Sequence, residues 1–162
     1  MLHGYICEYA TVNEDRPVGS LSDWLAQHSE LSPLYADFRQ SFGALSQLPA
    51  DVLRLCRIRM AQLHSLPTNS GDAAVGQELA KAVSLWSNNS QFSSSEKACL
   101  AFAEVYAIDV HAITDAQADA VKEYFGEPGL VALVQALGVF YAEVRLCKLW
   151  GFADIDQAEQ TQ

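Results

Sequence analysis

Four cysteines offer the widest chemical range in this 162-residue sequence, because a thiolate can attack a peroxide, form a disulfide or bind a metal. They are widely spaced single residues without a CxxC pair, at Cys7, Cys56, Cys99 and Cys147. Cys56 is the best candidate for a reactive thiol, since Arg54 and Arg57 flank it and nearby cations lower the pKa of a thiol. The apolar neighbours of the last three cysteines indicate instead that these are small buried side chains.

A second group of residues could perform acid–base chemistry or bind a small anion. His64 lies at the end of a predicted helix and titrates near neutral pH. Glu104 lies beside the apolar stripe of its predicted helix, so its carboxylate needs a partner, for which Arg59 and Arg145 are the candidates. Tyr141 and Arg145 are one helical turn apart and would present a hydroxyl and a guanidinium to an anionic small molecule or to a subunit interface. We name these five residues as candidate ligand-binding residues.

These residues also have structural interpretations, which the sequence leaves open. A histidine at a helix end is commonly a cap or a solvent contact, and Glu104 also fits a structural ion pair. Arg54 and Arg57 fit the solvated flank of a helix. No metal-ligand spacing relates the remaining histidines, which are His3, His28 and His111. The sequence therefore predicts neither a metal site nor a cofactor.

Helices must position all of these side chains, because caps and a 3.6-residue periodicity recur along the chain and no strand pattern is convincing. Ser32, Ser93 and Thr114 are the expected N-caps, and Gly126 and Gly151 are expected to close helices in the left-handed conformation. The predicted helices span residues 21–27, 33–45, 50–65, 72–86, 93–107, 115–125 and 128–150. The predicted fold class is therefore all-α.

The composition predicts one globular domain over residues 1–162, with an N-terminal extension over 1–19 and a flexible tail over 152–162. The formal net charge of −10 disfavours nucleic acid and anionic lipid, which bind through basic residues. The N-terminus lacks the pattern of a signal peptide, and the apolar run over 130–142 is shorter than the roughly 20 residues that cross a bilayer. We therefore expect a cytoplasmic protein that binds neither nucleic acid nor membrane.

Three segments carry a resemblance to a known family: "LPADVLRLCRIRMAQL", "LWSNNSQFSSSEKACLAFAEVYA" and "VQALGVFYAEVRLCKLWGF". In this order and at these separations, they resemble the peroxidase-related branch of the alkylhydroperoxidase D-like superfamily, also called the carboxymuconolactone decarboxylase-like fold. The matching residues are Trp86, Phe92, Ser93, Glu96, Glu104 and Arg145. The resemblance implies an all-α bundle of about seven helices that assembles as a homo-oligomer.

The catalytic motif of that family is missing from this sequence. The family's peroxidases carry C-x-x-C-x-x-x-H after the "AQL" segment and a glutamate on the preceding helix, so that a dithiol reduces the hydroperoxide while the other two residues relay protons. The stretch "RMAQLHSLPTNSGDAA" places Leu66 and Asn69 at the two cysteines and Ala73 at the histidine, and Arg54 falls at the glutamate. Dithiol peroxidase activity is therefore expected to be absent. The histidine of the decarboxylase branch is missing too, which argues against lactone decarboxylation.

Three hypotheses for the function follow. The first is a divergent, non-peroxidase member of the superfamily that keeps the scaffold to bind a small ligand or a partner. The second is an oxidoreductase that works through a single thiol, with Cys56 as the best candidate and Cys99 next. The third is an acid–base enzyme that uses His64, Glu104 and Arg145 on a small anionic or lactone-like substrate.

Overall fold

The structure is a computed structural model that describes residues 21–43, 45–66 and 73–152. Every regular element in these ranges is helical, which confirms the all-α prediction. Short 3₁₀ turns at Trp86–Asn88 and Val110–Ala112 precede and follow the fifth α-helix. The α-helices are α1 (Leu21–Ala26), α2 (Leu31–Gly43), α3 (Ala50–Leu63), α4 (Ala73–Ser84), α5 (Ser94–Ile108) and α6 (Asp115–Trp150). The predicted extension over 1–19 lies outside the described residues.

Ser93 and Thr114 are the N-caps of α5 and α6, as predicted, and each is part of a capping box. Ser93 accepts a hydrogen bond from the backbone N–H of Glu96, whose carboxylate accepts one from the backbone N–H of Ser93 at 2.7 Å. Thr114 and Gln117 make the same reciprocal pair at the start of α6. Each box satisfies two amides that a helix start would otherwise leave without partners, and such a cap is worth about 1 kcal/mol.

The start of α2 differs from the prediction that Ser32 is its N-cap. The helix begins at Leu31, because the carbonyl of His28 already accepts hydrogen bonds from the N–H groups of Leu31 and Ser32. Ser32 and Pro33 therefore both lie in the first turn, a position where proline costs no helical hydrogen bond.

A glycine interrupts the last helix. Gly126 has φ 66° and ψ −178°, values that break the helical path, and Pro128 follows within the next turn. The left-handed φ suits glycine, which has no Cβ to clash with the backbone. The predicted sixth and seventh helices are thus the two parts of α6, and the described residues contain six α-helices where the sequence predicts about seven.

The end of α6 shows that the predicted tail begins too early. Gly151 caps the helix with φ 74°, and the N–H of Phe152 donates to the carbonyl of Cys147 at 3.0 Å. Phe152 is buried and lies against the rings of Trp24 and Trp150. Residue 152 is therefore part of the core, and the rest of the predicted tail lies outside the described residues.

Helices α3, α5 and α6 form the centre of the fold. Their main core includes Cys56, Met60, Cys99, Leu133 and Leu137, none of which is exposed to solvent. A second apolar cluster joins α4 to α3 and α5. Each large apolar side chain buried in this way contributes about 1.5–3 kcal/mol to folding. This core fixes the faces of α3, α5 and α6 from which the candidate site residues project.

The apolar surface of α6 is only partly covered by the described residues. By length and composition, α6 contains one stretch of 18 residues apolar enough to cross a membrane, and 39% of that stretch is buried inside the protein. The predicted short run over 130–142 is therefore part of a longer apolar helix. The central helix of a helical bundle and a membrane-spanning helix share this length and apolar composition.

Candidate functional site

The positions that match the family's catalytic motif show no catalytic arrangement. Arg54 is exposed on α3, and Leu66 is half-buried against the main core. Leu66 follows a tight turn in which Ser65 has φ 56°, and its N–H donates to the carbonyl of Ala61. Ala73 is the first residue of α4, and Asn69 lies outside the described residues. Leu66 is thus a packing residue in the described part of the chain.

The thiols of Cys56 and Cys99 are buried, as their apolar neighbours predict, and the alternative of a reactive Cys56 is not supported. Burial raises the pKa of Cys56 well above its ordinary value, and the neighbouring Cys99 raises it further. Burial raises the pKa of Cys99 to about 12, with a smaller contribution from the carboxylate of Glu96. Arg54 and Arg57 do not offset the burial of Cys56, because helix neighbours one and two positions away point to other sides. Neither thiol has the exposure or the ionisation that a peroxide-reducing cysteine needs.

These environments predict slow alkylation. In the native protein at pH 8, we expect iodoacetamide to label Cys56 and Cys99 more than about 100-fold slower than in denaturing urea, because burial disfavours the thiolate and blocks access. Peptide mapping by mass spectrometry measures each rate separately. A Gln77→Cys variant is the control, since this exposed position on α4 should label at similar rates in both conditions. Rapid native labelling of Cys56 would restore the single-thiol hypothesis.

Glu104 is the centre of a hydrogen-bonded network that joins α5 to α3, to α4 and to the 3₁₀ turn at Trp86. Its Oε1 accepts from the Nε of Arg59 at 2.6 Å and from the indole Nε1 of Trp86 at 2.8 Å. Arg59 also donates to Gln62, whose amide donates to the carbonyl of Ala80 in α4 at 2.6 Å. Of the two predicted partners of Glu104, the structure thus selects Arg59. Because Arg59 and Trp86 both donate to Glu104, they fix the orientation of its carboxylate. This arrangement fits a structural ion pair better than a role in ligand binding.

The three remaining ligand-binding candidates meet at the ends of α3 and α6. The ring of His64 lies 5.3 Å from the ring of Tyr141, and the guanidinium carbon of Arg145 lies 5.1 Å from the same ring. Burial lowers the pKa of His64, and the positive charges of Lys148 and Arg145 lower it further. His64 is therefore neutral near pH 7, with its buried Nε2 atom without a hydrogen-bond partner among the described residues.

Glu143 is a buried carboxylate that the sequence reasoning missed. Its residue is 2% exposed, and its Oε1 accepts a hydrogen bond from the hydroxyl of Tyr35 at 2.6 Å. Arg39 lies 3.6 Å from Oε1, and Arg57 lies 3.4 Å from Oε2. The Arg57 side chain is 17% exposed, so the prediction that it belongs to a solvated flank is wrong. We call Glu143, Tyr35, Arg39 and Arg57 the Glu143 cluster. Its buried carboxylate connects α2 and α3 to α6.

A groove lies beside the Glu143 cluster, between α2, α5 and α6. Its volume is about 390 Å³, and Glu143 and Tyr35 form part of its wall. The other lining residues are Phe38, Tyr106, Val134, Gln135, Gly138, Val139, Ala142 and Leu146. Most of this surface is apolar, and the volume falls in the range of small-molecule sites. The groove therefore combines a mostly apolar wall with a few polar side chains, among them the buried carboxylate of Glu143, a combination found in small-ligand sites.

The structure divides the five predicted ligand-binding residues into two groups. Arg59 and Glu104 form one group, and His64, Tyr141 and Arg145 form the other. No hydrogen bond, ion pair or ring contact joins the two groups in the described part of the chain. His64 and Glu104 therefore do not form the acid–base pair that the third hypothesis requires.

No family model matches this chain, and a search of curated proteins finds no match either. The likeness to the alkylhydroperoxidase D-like superfamily therefore depends on the three sequence segments and their order.

Proposed function

We propose that the protein is a non-peroxidase member of the alkylhydroperoxidase D-like superfamily that binds a small, largely apolar molecule in the groove between α2, α5 and α6. The observation that carries this proposal is the buried carboxylate of Glu143 in the wall of an otherwise apolar groove. A carboxylate buried in this way has a high desolvation cost, which a packing role alone does not require. It is the polar group that would orient a ligand.

The chemistry of Glu143 defines the class of ligand. Its Oε2 atom is buried and accepts no hydrogen bond from the described residues, although Arg57 lies 3.4 Å away. An ionised carboxylate only accepts hydrogen bonds, so a hydroxyl or N–H group is the fitting partner. The ligand is therefore a molecule with an apolar body and a single hydrogen-bond donor, such as an aromatic alcohol or amine. The donor would approach from the groove, whose wall includes Glu143.

The other hypotheses have less support from the geometry. The single-thiol oxidoreductase needs an accessible thiol of low pKa, whereas Cys56 and Cys99 are buried and their pKa values are raised. The acid–base enzyme needs His64 and Glu104 in one site, whereas they belong to separate groups of residues. Ligand binding requires neither arrangement.

A matched pair of probes tests the proposed function. We expect the protein to bind 2-naphthol saturably and to bind naphthalene, which lacks the donor, about tenfold more weakly, because one hydrogen bond to a charged group is worth about 1.5 kcal/mol. Fluorescence titration measures both affinities. Ala142→Trp should abolish binding, since Ala142 lines the groove and the indole would fill it. Ala116→Trp is the control, because this exposed residue of α6 does not line the groove.

The absence of saturable binding by both probes would contradict the proposed function. Equal affinities for 2-naphthol and naphthalene would show that the groove binds apolar molecules but that Glu143 does not contribute to the binding. Binding that survives in Ala142→Trp would place the ligand elsewhere.

We also propose that the protein self-associates, as the family resemblance implies, and that α2 forms part of the interface. Leu31 and Leu34 lie one turn apart on α2 and are 53% and 68% exposed. Together with the uncovered apolar surface of α6, these side chains favour burial against a second copy. Sedimentation velocity over a range of protein concentrations measures this association directly.

A further inference from the structure

A face of α6 separate from the groove carries polar groups that the described residues leave without partners. Tyr141, Arg145 and Lys148 recur at spacings of four and three residues, so they share one side of the helix. The groove residues Gly138, Ala142 and Leu146 recur on a neighbouring side. His64, at the end of α3, packs against the Tyr141 ring and completes this second set.

Two positive charges in this set have no acidic partner in the described part of the chain. No carboxylate there lies within ion-pair distance of Arg145 or Lys148, and Arg145 instead stacks over the ring of Tyr141. The sequence holds 20 acidic residues and only ten basic ones, so most of the molecule repels anions. Two cations on one helix face without an acidic partner among the described residues therefore stand out in a chain of negative net charge.

The set also contains two neutral polar groups, the hydroxyl of Tyr141 and the imidazole of His64. The hydroxyl of Tyr141 makes no hydrogen bond to the described residues, and Nε2 of His64 is a buried atom without a hydrogen-bond partner. A hydroxyl can donate to an oxyanion, and Arg and Lys make their strongest hydrogen bonds with carboxylate and phosphate oxygens. The Tyr141 hydroxyl and the two positive charges thus lie on one helix face, and no carboxylate of the described residues is paired with them.

We propose that His64, Tyr141, Arg145 and Lys148 form a binding site for a small oxyanion, a carboxylate or a phosphate group. Arg145 and Lys148 supply the charge, and the Tyr141 hydroxyl supplies a neutral donor. The pKa of His64 shows whether the site is occupied, because a bound negative charge would offset the two cations that lower this pKa. The site is independent of the groove and of the ligand proposed there.

The protonation of His64 provides the measurement. In the empty site, Lys148 and Arg145 on α6 are the charged groups that lower the pKa of His64, after burial, and Tyr141 is the titratable group that its ring contacts. The bound anion should raise this pKa, by about 0.5 for one negative charge at the surface. Two-dimensional NMR of the full-length protein follows the imidazole signals, and the loss of one set in His64→Gln assigns them.

The experiment compares sodium phosphate, sodium acetate and sodium chloride at one ionic strength. We expect a saturable rise in the His64 pKa with phosphate, with acetate or with both relative to chloride, and the response to each salt shows which oxyanion the site accepts. The Arg145→Gln, Lys148→Gln double variant should have a raised His64 pKa in chloride and should lose the response to oxyanions. The control is Arg54→Gln, Lys81→Gln, which removes the same charge from exposed positions on α3 and α4.

Three results would overturn the proposal. The first is a His64 pKa that is the same in all three salts at matched ionic strength. The second is a response to oxyanions that persists in the Arg145→Gln, Lys148→Gln variant, because the anion would then bind elsewhere. The third is a response that the control variant also loses, because the effect would then come from the overall charge of the protein and not from this site.

Discussion

Replacing Glu143 with alanine is expected to lower the free energy of unfolding by about 3 kcal/mol, the lower part of the range for breaking a buried ion pair from one side. The substitution removes the acceptor of the Tyr35 hydroxyl and the carboxylate beside Arg39 and Arg57. The two arginine side chains keep 23% and 17% exposure, so water reduces the loss relative to a fully buried pair. Urea unfolding followed by far-UV circular dichroism measures the change.

Two further variants separate the sources of this loss. Tyr35→Phe removes only the hydroxyl and should cost about 1.5 kcal/mol, the value of one hydrogen bond to a charged acceptor. Glu123→Ala removes an exposed carboxylate from the same helix and should stay within about 0.5 kcal/mol of the wild type. Equal stabilities of Glu143→Ala and Glu123→Ala would contradict the buried cluster.

The same substitution also tests the groove. Where Glu143→Ala remains folded, it should reduce the affinity for 2-naphthol and leave the affinity for naphthalene unchanged, because only the first probe carries a donor for the carboxylate. A purely structural Glu143 would change both affinities together or neither of them. The stability and the binding measurements therefore give separate answers on the two roles of this residue.

The helices and their caps were predictable because their signals are local. The capping boxes at Ser93 and Thr114 need only residues three positions apart, and the left-handed glycines at Gly126 and Gly151 follow from the absence of a Cβ. The observed start of α2 lies two residues before the predicted one, because the hydrogen bonds to His28 begin the helix before Ser32. Boundaries depend on such neighbouring turns, which the cap residue alone does not reveal.

The Glu143 cluster was not predicted, because its members come from three helices far apart in sequence. One signal was present: Glu143 recurs at the helical spacing of the buried residues Ala136 and Cys147, so a charge stands at a core position. Such a position predicts a buried partner without identifying it. Only the packing of α2 and α3 against α6 shows that Tyr35, Arg39 and Arg57 surround it.

The surroundings of Cys56 and Glu104 likewise depend on how the helices pack. Arg54 and Arg57 are close to Cys56 in sequence, but on a helix residues one or two positions apart face different sides, so they do not act on its thiol. For Glu104, residue chemistry limited the partners to two arginines, and only the approach of α3 to α5 decides for Arg59. The indole of Trp86 was outside the prediction, because no sequence pattern gives the direction of its N–H group.

The second large effect is expected at Glu104. Glu104→Ala should lower the free energy of unfolding by about 2 kcal/mol, because the guanidinium of Arg59 and the indole N–H of Trp86 both lose their acceptor. The value is smaller than for Glu143 because the Glu104 side chain keeps 25% exposure. Urea unfolding by circular dichroism measures the loss, with Glu78→Ala as the control for an exposed carboxylate of α4.

A double-mutant cycle identifies the pair itself. Replacing both Arg59 and Glu104 with methionine removes the two charges together and leaves no half of the pair without its partner, so the double variant should be more stable than the sum of the single changes predicts. We expect a coupling free energy of about 1 kcal/mol between Arg59 and Glu104. The rest of the stability lost in Glu104→Ala comes from the hydrogen bond of the Trp86 indole, which the Trp86→Phe variant measures separately. Strictly additive effects would show that Arg59 and Glu104 act separately, and the network joining α3, α4 and α5 would then not be a unit. A Glu104→Ala variant that kept full stability but lost binding of either naphthalene probe would instead return Glu104 to a ligand-binding role.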